Sequence, residues 1–241
     1  MALARAKFPG PRILIRELAV SVKVKICGVR TPAILDAAVA AGADYAGLVV
    51  FPRSPRHVTV EEAQSLAAAA RGRIATVAVL VDPDDALIDR VIGRVDPDFI
   101  QLHGSESPAR VAEIKARGSR GVIKAVSVFD SEDAARGADY AGIADMILFD
   151  AKPSSGDVLP GGNGVAFDWM RLRGVAPAGP FALSGGLKAE NVAAAIALTG
   201  AAIVDVSSGV ETAQGEKDAA MVAAFIAAAK AATQLERAKA S

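Results

Sequence analysis

Residues 22–50, VKVKICGVRTPAILDAAVAAGADYAGLVV, contain a pattern that is repeated along the rest of the chain. A short β-branched run is followed by an alanine-rich stretch of helical period and then by a second apolar run. Thr31 and Pro32 mark the start of the helix, because a hydroxyl caps the first turn and proline fits the next position. Gly42 marks its end. The segment therefore predicts one strand–helix–strand unit.

Six further strands follow in the same alternation with helices, eight strands in all, which predicts a single (β/α)8 barrel. The main alternative is an open doubly wound sheet, but Cys27-Gly28-Val29-Arg30 after the first strand does not match the G-x-G-x-x-G of that fold. A capping box at Thr59 and Glu62 predicts the second helix, and a final helix is predicted over 216–230. The predicted strands cover residues 22–27, 45–50, 74–81, 98–103, 121–128, 145–150, 180–184 and 202–207.

Length and composition agree with one barrel domain. The chain has 241 residues, against about 250 for a typical barrel of this kind. It is 52% hydrophobic and only 5% aromatic, which suits parallel strands buried on both faces. We expect an N-terminal extension over 1–21, the barrel over 22–235 and a tail over 236–241. The extension is rich in arginine, but Pro9-Gly10-Pro11 would break the amphipathic helix of a transit peptide.

Charge, cysteine content and hydropathy restrict the class of protein. Lys and Arg total 27, as do Asp and Glu, so no overall charge favours nucleic acid as a partner. The single cysteine allows no internal disulfide and fits a cytoplasmic protein. The longest apolar stretch, 193–204, is too short and too interrupted to span a membrane. Two histidines and one cysteine give no metal-ligand cluster, so we expect no metal and no cofactor.

Two glycine pairs predict a phosphate site. In such barrels the chemistry lies at the C-terminal ends of the strands, often with phosphate bound after strands seven and eight. Ser184-Gly185-Gly186 and Ser207-Ser208-Gly209 occupy those places, and glycine lets backbone N–H groups approach an anion. The alternative is that both are ordinary tight turns. A third cluster, Gly161–Gly164, follows strand six and could join the site.

Cys27 and Asp150 are the candidate acid–base pair. Each ends a predicted strand. Asp150 follows the apolar run Met146–Phe149, and a buried carboxylate is rare without a partner or a task. The alternatives are a packed thiol and an ion pair between Asp150 and Lys152. A thiolate and a protonated carboxyl at one mouth could move protons, and lowering of the thiol pKa by Lys25 would help. Arg56, in the proline-stiffened loop FPRSPRHV, has the planar fork that suits a carboxylate.

Several motifs together resemble the phosphoribosylanthranilate isomerase family, from Val22 to about Lys230. They are KICGV (25–29), FPRSPRHV (51–58), FIQLHG (99–104), LFDA (148–151), SGGL (184–187) and VDVSSGVE (204–211), with GEKD following. The resemblance implies an isomerase of tryptophan biosynthesis with Cys27 as general base and Asp150 as general acid. It further implies a phosphorylated small-molecule substrate. Arg56 would bind the anthranilate carboxylate of that substrate. Its phosphate would be bound by Gly185, Gly186, Ser208 and Gly209, and the rest of the molecule by Asp205, Gln101 and His103.

The implied reaction is an Amadori rearrangement, which needs neither metal nor cofactor. The acid would protonate the furanose ring oxygen, and the base would then remove the proton on C2. The resemblance favours a monomer, with a homodimer as the alternative. Arg30, Asn163 and Ser184 depart from the family pattern, which bears on affinity more than on the reaction.

Three other functions compete with this interpretation. A pentose-phosphate epimerase would need metal ligands that the sequence lacks. An indole-glycerol-phosphate synthase would need further Lys and Glu residues at strand ends. A non-catalytic barrel that senses a phosphorylated metabolite would have little reason to combine Cys27 and Asp150 with a phosphate site. A related aminoimidazole substrate of histidine synthesis also stays open.

Overall fold

Eight parallel strands form a closed barrel in sequence order, which confirms the predicted (β/α)8 fold. The computed structural model describes residues 21–118, 121–151, 169 and 180–239. Each strand begins and ends within one residue of its predicted bounds. The strands are β1 (Lys23–Cys27), β2 (Tyr45–Val49), β3 (Ala75–Leu80), β4 (Phe99–Leu102), β5 (Val122–Val128), β6 (Met146–Ala151), β7 (Phe181–Leu183) and β8 (Ile203–Val206).

Helices alternate with these strands and show the predicted caps. The Thr31 side chain accepts from the Ile34 N–H, and Thr59 and Glu62 form the capping box. None of the described helices is both long enough and apolar enough to cross a bilayer. The helices are α1 (Pro32–Ala41), α2 (Val60–Ala70), α3 (Asp85–Arg90, continued by a π turn), α4 (Pro108–Ala116), α5 (Ser131–Ala135, followed by a 3-10 turn), α6 (Val192–Thr199) and α7 (Ala219–Lys239).

The start of the last helix differs from the prediction. Glu216–Lys217 forms a short strand, β10, which pairs antiparallel with β9 (Glu211–Ala213). Gly215, at φ 84°, turns the chain between them, and the Asp218 carboxylate caps the helix by accepting from the Met221 N–H at 2.8 Å. A helix from 216 is therefore wrong, because the turn and the cap fix its start at 219.

The ends of the predicted barrel domain are not tested by these elements. Residues 1–20 and the last two residues lie outside the described part of the chain, as does most of the segment between β6 and β7. Helix α7 continues to Lys239. The division into an extension over 1–21, a barrel over 22–235 and a tail over 236–241 stays a prediction.

Two apolar layers hold the strands in place. One fills the barrel interior and includes Cys27, Val77, Val79, Leu148 and Ile203. The other lies between the barrel and its helices. Because successive side chains of a strand point to opposite faces, every second position faces inward. On β4, β6 and β8 the inward positions near the C-terminal ends are polar: Gln101, Asp150 and Asp205.

At the opposite end of the barrel, the same side-chain to backbone hydrogen bond occurs before three of the strands. An Asp immediately before β2, β4 and β6 accepts a hydrogen bond from a backbone N–H near the start of the preceding strand. This ties neighbouring strands together where the ladder begins. The pairs, each 2.8 Å, are Asp44 with Val24, Asp98 with Thr76, and Asp145 with Val122.

We expect Asp145→Ala to destabilise the barrel by about 1–3 kcal/mol, because the Val122 N–H loses its acceptor. The ion pair with Lys115, 2.7 Å long, is lost as well. Urea unfolding at neutral pH measures the difference. Asp36→Ala, which removes only an exposed ion pair with Arg73, is the control and should cost less than about 0.5 kcal/mol.

The same variant carries a pH dependence. Burial favours the neutral form of the Asp145 carboxyl, but hydrogen bonds from Lys115 and the Val122 N–H outweigh burial and lower the pKa of Asp145. A lowered folded-state pKa means that the carboxylate stabilises the fold at neutral pH and ceases to do so as the pH falls through that value. The difference in free energy of unfolding between the parent and Asp145→Ala should therefore become smaller below about pH 4. A difference that grows in acid would contradict this assignment.

Candidate active site

The barrel brings five of the predicted residues to its C-terminal mouth. Cys27 ends β1, Gln101 lies on β4 with His103 just after it, Asp150 lies on β6 and Asp205 on β8. All occupy inward positions of their strands, and all but the half-buried His103 are buried. A cluster of buried polar groups at the mouth of an otherwise aliphatic barrel is a candidate active site.

Room for the Cys27 side chain comes from a glycine that the sequence interpretation missed. Gly47 pairs with Cys27 across β1 and β2, and a Cβ at Gly47 would lie 3.1 Å from the thiol sulfur. Below the thiol, Lys25 donates from Nζ to Asp205 Oδ1 at 3.0 Å. Both charged groups are buried. Because their charges are opposite, the pair is neutral overall, and it links β1 to β8.

Burial raises the pKa of the Cys27 thiol above its ordinary value. Lys25 and Lys217 act in the opposite direction, while Asp205 adds to the rise. Lys25 thus acts to lower the thiol pKa, as expected, but burial outweighs it, so the expected net lowering of the pKa is wrong. The physical reason is that Asp205 neutralises Lys25, so the ammonium does not offset the loss of water around the sulfur.

Asp150 lies in a hydrogen-bonded chain of three side chains. His103 Nε2 is 3.1 Å from Asp150 Oδ2, and His103 Nδ1 is 2.8 Å from Gln101 Nε2. If Gln101 donates to Nδ1, the imidazole proton sits on Nε2 and is donated to the carboxylate. The interior position of Asp150 thus has a specific partner. Lys152, the alternative partner suggested by the sequence, lies outside the described residues.

The two glycine loops after β7 and β8 touch through their backbones. A Cβ at Gly209 would lie 1.9 Å from the Leu187 carbonyl oxygen, a contact that only glycine permits. Gly185 and Gly186 have φ values of 97° and 64°. Within the described part of the chain, neither of their N–H groups donates a hydrogen bond outside regular elements. Such a pair of loops, the first of which is followed by helix α6, suits a phosphate.

A third glycine cluster, Gly161–Gly164, lies outside the described residues. Asn191 holds the first loop in shape. Its Nδ2 donates to the Gly186 carbonyl at 3.0 Å, and its Oδ1 accepts from the Lys188 N–H at 2.8 Å. The candidate phosphate site is therefore formed by the loops at 184–187 and 207–210.

We expect Gly209→Ala to weaken binding of a small phosphate ester at least about tenfold, because the added Cβ forces the two loops apart. Overpacking of this kind should also cost about 1–3 kcal/mol of stability. Calorimetric titration measures the first effect and urea unfolding the second. Gly93→Ala, where a Cβ meets nothing within 4 Å, is the matched control. Equal affinity in both variants would show that the loop contact does not shape the site.

Arg56 lies beside this mouth, but its fork is already occupied. Its Nε and Nη2 each donate to one carboxylate oxygen of Glu211, both at 2.8 Å. Lys217 Nζ donates to the same carboxylate at 3.0 Å. Although burial opposes it, these bonds lower the pKa of Glu211 to about 2. The sequence interpretation gave Glu211 and Lys217 no role; the only signal was their place in the VDVSSGVE and GEKD motifs.

Arg30, the charge that departs from the family pattern, lies next to this group. Its Nη1 donates to the Gly215 carbonyl at 3.4 Å. It lines a pocket of about 270 Å³ together with Gly28, Thr31, Ile34 and residues 215–217.

No group of three or more His, Cys, Asp or Glu side chains in the described ranges is arranged to hold a metal ion.

Comparisons with known proteins agree on one family. The sequence profile described as N-(5'phosphoribosyl)anthranilate (PRA) isomerase matches residues 24–228. The chain is 52% identical over 217 residues to the N-(5'-phosphoribosyl)anthranilate isomerase of Azorhizobium caulinodans, covering 90% of this chain and 95% of that one.

Solved structures agree as well. The phosphoribosyl anthranilate isomerase of Thermotoga maritima superposes with a TM-score of 0.77 at 34% identity, over 87% of this chain and 99% of that one. A phosphoribosyl anthranilate isomerase in complex with reduced 1-(o-carboxyphenylamino)-1-deoxyribulose 5-phosphate superposes at 0.75, with 33% identity and the same coverage.

Proposed function

Because this chain belongs to the N-(5'-phosphoribosyl)anthranilate isomerase family, we propose that it isomerises N-(5-phosphoribosyl)anthranilate to 1-(2-carboxyphenylamino)-1-deoxyribulose 5-phosphate in tryptophan biosynthesis. One observation of the site carries this proposal. A buried thiol and a buried carboxyl face the same barrel mouth, beside paired glycine loops suited to a phosphate. An acid, a base and an anion site are what this isomerisation requires.

The first step in the proposal is ring opening. Protonated Asp150 gives its proton to the furanose ring oxygen as the bond from that oxygen to C1 breaks. The nitrogen lone pair forms the C1–N double bond, which leaves a protonated imine and an Asp150 carboxylate. The hydrogen bond from His103, 3.1 Å from Asp150 Oδ2, supports this step because it orients the carboxyl and can stabilise the charge that develops there.

The second step is proton removal at carbon. The Cys27 thiolate takes the proton from C2. The electron pair of that C–H bond forms the C1–C2 double bond while the π pair of the C1–N bond returns to nitrogen, which gives an enolamine. The enolamine then tautomerises, its hydroxyl proton being replaced by one on C1, to the ketone. A thiol with a raised pKa is scarce as thiolate at neutral pH, but each thiolate is a stronger base. Lys25 and Lys217 limit the cost of ionising it.

The remaining predicted residues bind the substrate in this proposal. The phosphate is assigned to Gly185, Gly186, Ser208 and Gly209, and the anthranilate carboxylate to the charge of Arg56. Asp205, Gln101 and His103 are assigned to the ribose and its ring-opened forms. The step sequence uses no metal and no cofactor. We also propose a cytoplasmic monomer, with a homodimer as the alternative that sedimentation would distinguish.

Loss of N-(5-phosphoribosyl)anthranilate fluorescence with purified protein tests the activity, and chromatography identifies the product. We expect turnover without added metal and in the presence of a chelator. A folded protein that binds the substrate without turning it over would contradict the proposal and favour the sensing barrel. Conversion only of the aminoimidazole substrate of histidine synthesis would assign the site to that compound.

A further inference from the structure

Arg56 is held from two sides by other residues of the chain. Its fork is bonded to Glu211, and its aliphatic stem lies on Gly28, where a Cβ would approach the Arg56 Cδ to 2.8 Å. Arg56 is 4% exposed. A guanidinium on a long side chain is otherwise free to adopt many rotamers, so this contact removes most of that freedom.

Glu211 is in turn fixed by the hairpin that follows β8. Its Oε2 accepts from the Gly215 N–H at 3.1 Å, and its Oε1 accepts from Lys217 Nζ at 3.0 Å. Lys217 Nζ also donates to the Ser207 carbonyl at 3.1 Å, next to the candidate phosphate loop. The side chains of Lys217 and Glu211 are 2% and 3% exposed. The carboxylate thus connects the loop after β2 with the loop after β8.

The three side chains carry two positive charges and one negative charge, so they leave a net positive charge at this part of the mouth. That charge suits an anionic group on the aromatic half of the substrate. Simple attraction and positioning make opposite predictions for Glu211. If only charge mattered, removing the carboxylate would improve binding of an anion; if the carboxylate orients Arg56, its removal would weaken that binding.

We propose that Glu211 is a positioning residue that aims Arg56 at the substrate carboxylate, and that it thereby sets selectivity for a carboxylate-bearing arylamine over one without the carboxylate. The proposal rests on the proposed isomerase function. Glu211 contacts the Arg56 guanidinium, and the proposed mechanism gives it no part in the proton transfers, so its effect belongs mainly in KM and in selectivity. The step that Cys27 and Asp150 perform should change much less.

The test compares N-(5-phosphoribosyl)anthranilate with N-(5-phosphoribosyl)aniline, which lacks the carboxylate. For Glu211→Gln we expect KM for the first compound to rise at least about tenfold, with little change for the second. Glu211→Asp, which keeps the charge but withdraws it by one methylene, should restore part of the selectivity. In an Arg56→Met background, Glu211→Gln should have no further effect on the ratio.

Glu106→Gln is the matched control. Glu106 is another buried carboxylate at this end of the barrel, 2.6 Å from Lys124 Nζ, so its loss tests for general destabilisation. We expect the ratio of its KM values for the anthranilate and aniline compounds to equal that of the parent. The proposal is overturned if Glu211→Gln leaves the ratio unchanged or lowers KM for the anthranilate compound. A parent without turnover would instead refute the isomerase function, so the two failures are distinguishable.

Discussion

Replacing Cys27 with Ala is expected to lower kcat for the isomerisation about 10³-fold, because no other described side chain is assigned to remove the C2 proton. Cys27 is a small buried residue, so the fold should survive with a modest loss of stability. Steady-state fluorescence assays give kcat and KM, and circular dichroism confirms the fold. KM should change little, since the proposal places the thiol at the reacting carbon and not at the phosphate or the carboxylate.

Cys27→Ser is the sharper variant, because it keeps the size of the side chain and removes only its acidity. We expect a loss close to that of the alanine variant, since a serine hydroxyl does not ionise in this range. Activity within tenfold of the parent for either variant would rule out Cys27 as the base.

The raised thiol pKa adds a pH signature. Burial disfavours the thiolate, so the active form of the base accumulates only as the pH rises. We therefore expect kcat/KM of the parent to rise with pH, with the midpoint of the rise above about 8.5, the ordinary pKa of a thiol. Ultraviolet titration of the single thiolate should give the same value. A midpoint well below that of a free thiol would show that Lys25 and Lys217 outweigh burial.

Replacing Asp150 with Asn is expected to lower kcat by a similar factor, about 10³-fold. Asparagine has nearly the same shape and can keep a hydrogen bond to His103 Nε2, which lies 3.1 Å from the carboxylate. It has no proton to give to the ring oxygen, so ring opening should become limiting. Asp145→Asn, at the other end of β6 and away from the mouth, controls for the loss of a charge.

Combining the two substitutions separates their roles. Residues that act in one reaction sequence are not additive, so a Cys27→Ser, Asp150→Asn double variant should lose little beyond the more damaging single change. An Asp150→Asn enzyme with parental kcat would remove Asp150 from the mechanism and leave it as the partner of His103.

Local patterns in the sequence determined the strands, the caps and the places of the site residues. The Thr59–Glu62 capping box and the αL glycine at Gly42 need only a few neighbouring residues, so they could be predicted. The barrel followed from the repeated alternation, and the barrel in turn places Cys27 and Asp150 at one mouth, because parallel strands bring their carboxyl ends to the same side. Their catalytic roles stay predictions.

Tertiary structure alone decided what surrounds those residues. Arg56 and Glu211 are 155 positions apart, and no local pattern pairs them. The β9–β10 hairpin replaces a predicted helical turn because Gly215 and Glu211 meet there. The direction of the Cys27 pKa shift likewise depends on how completely the folded chain excludes water and on Asp205 neutralising Lys25. Desolvation and long-range ion pairs depend on distances in space, which the order of residues along the chain does not give.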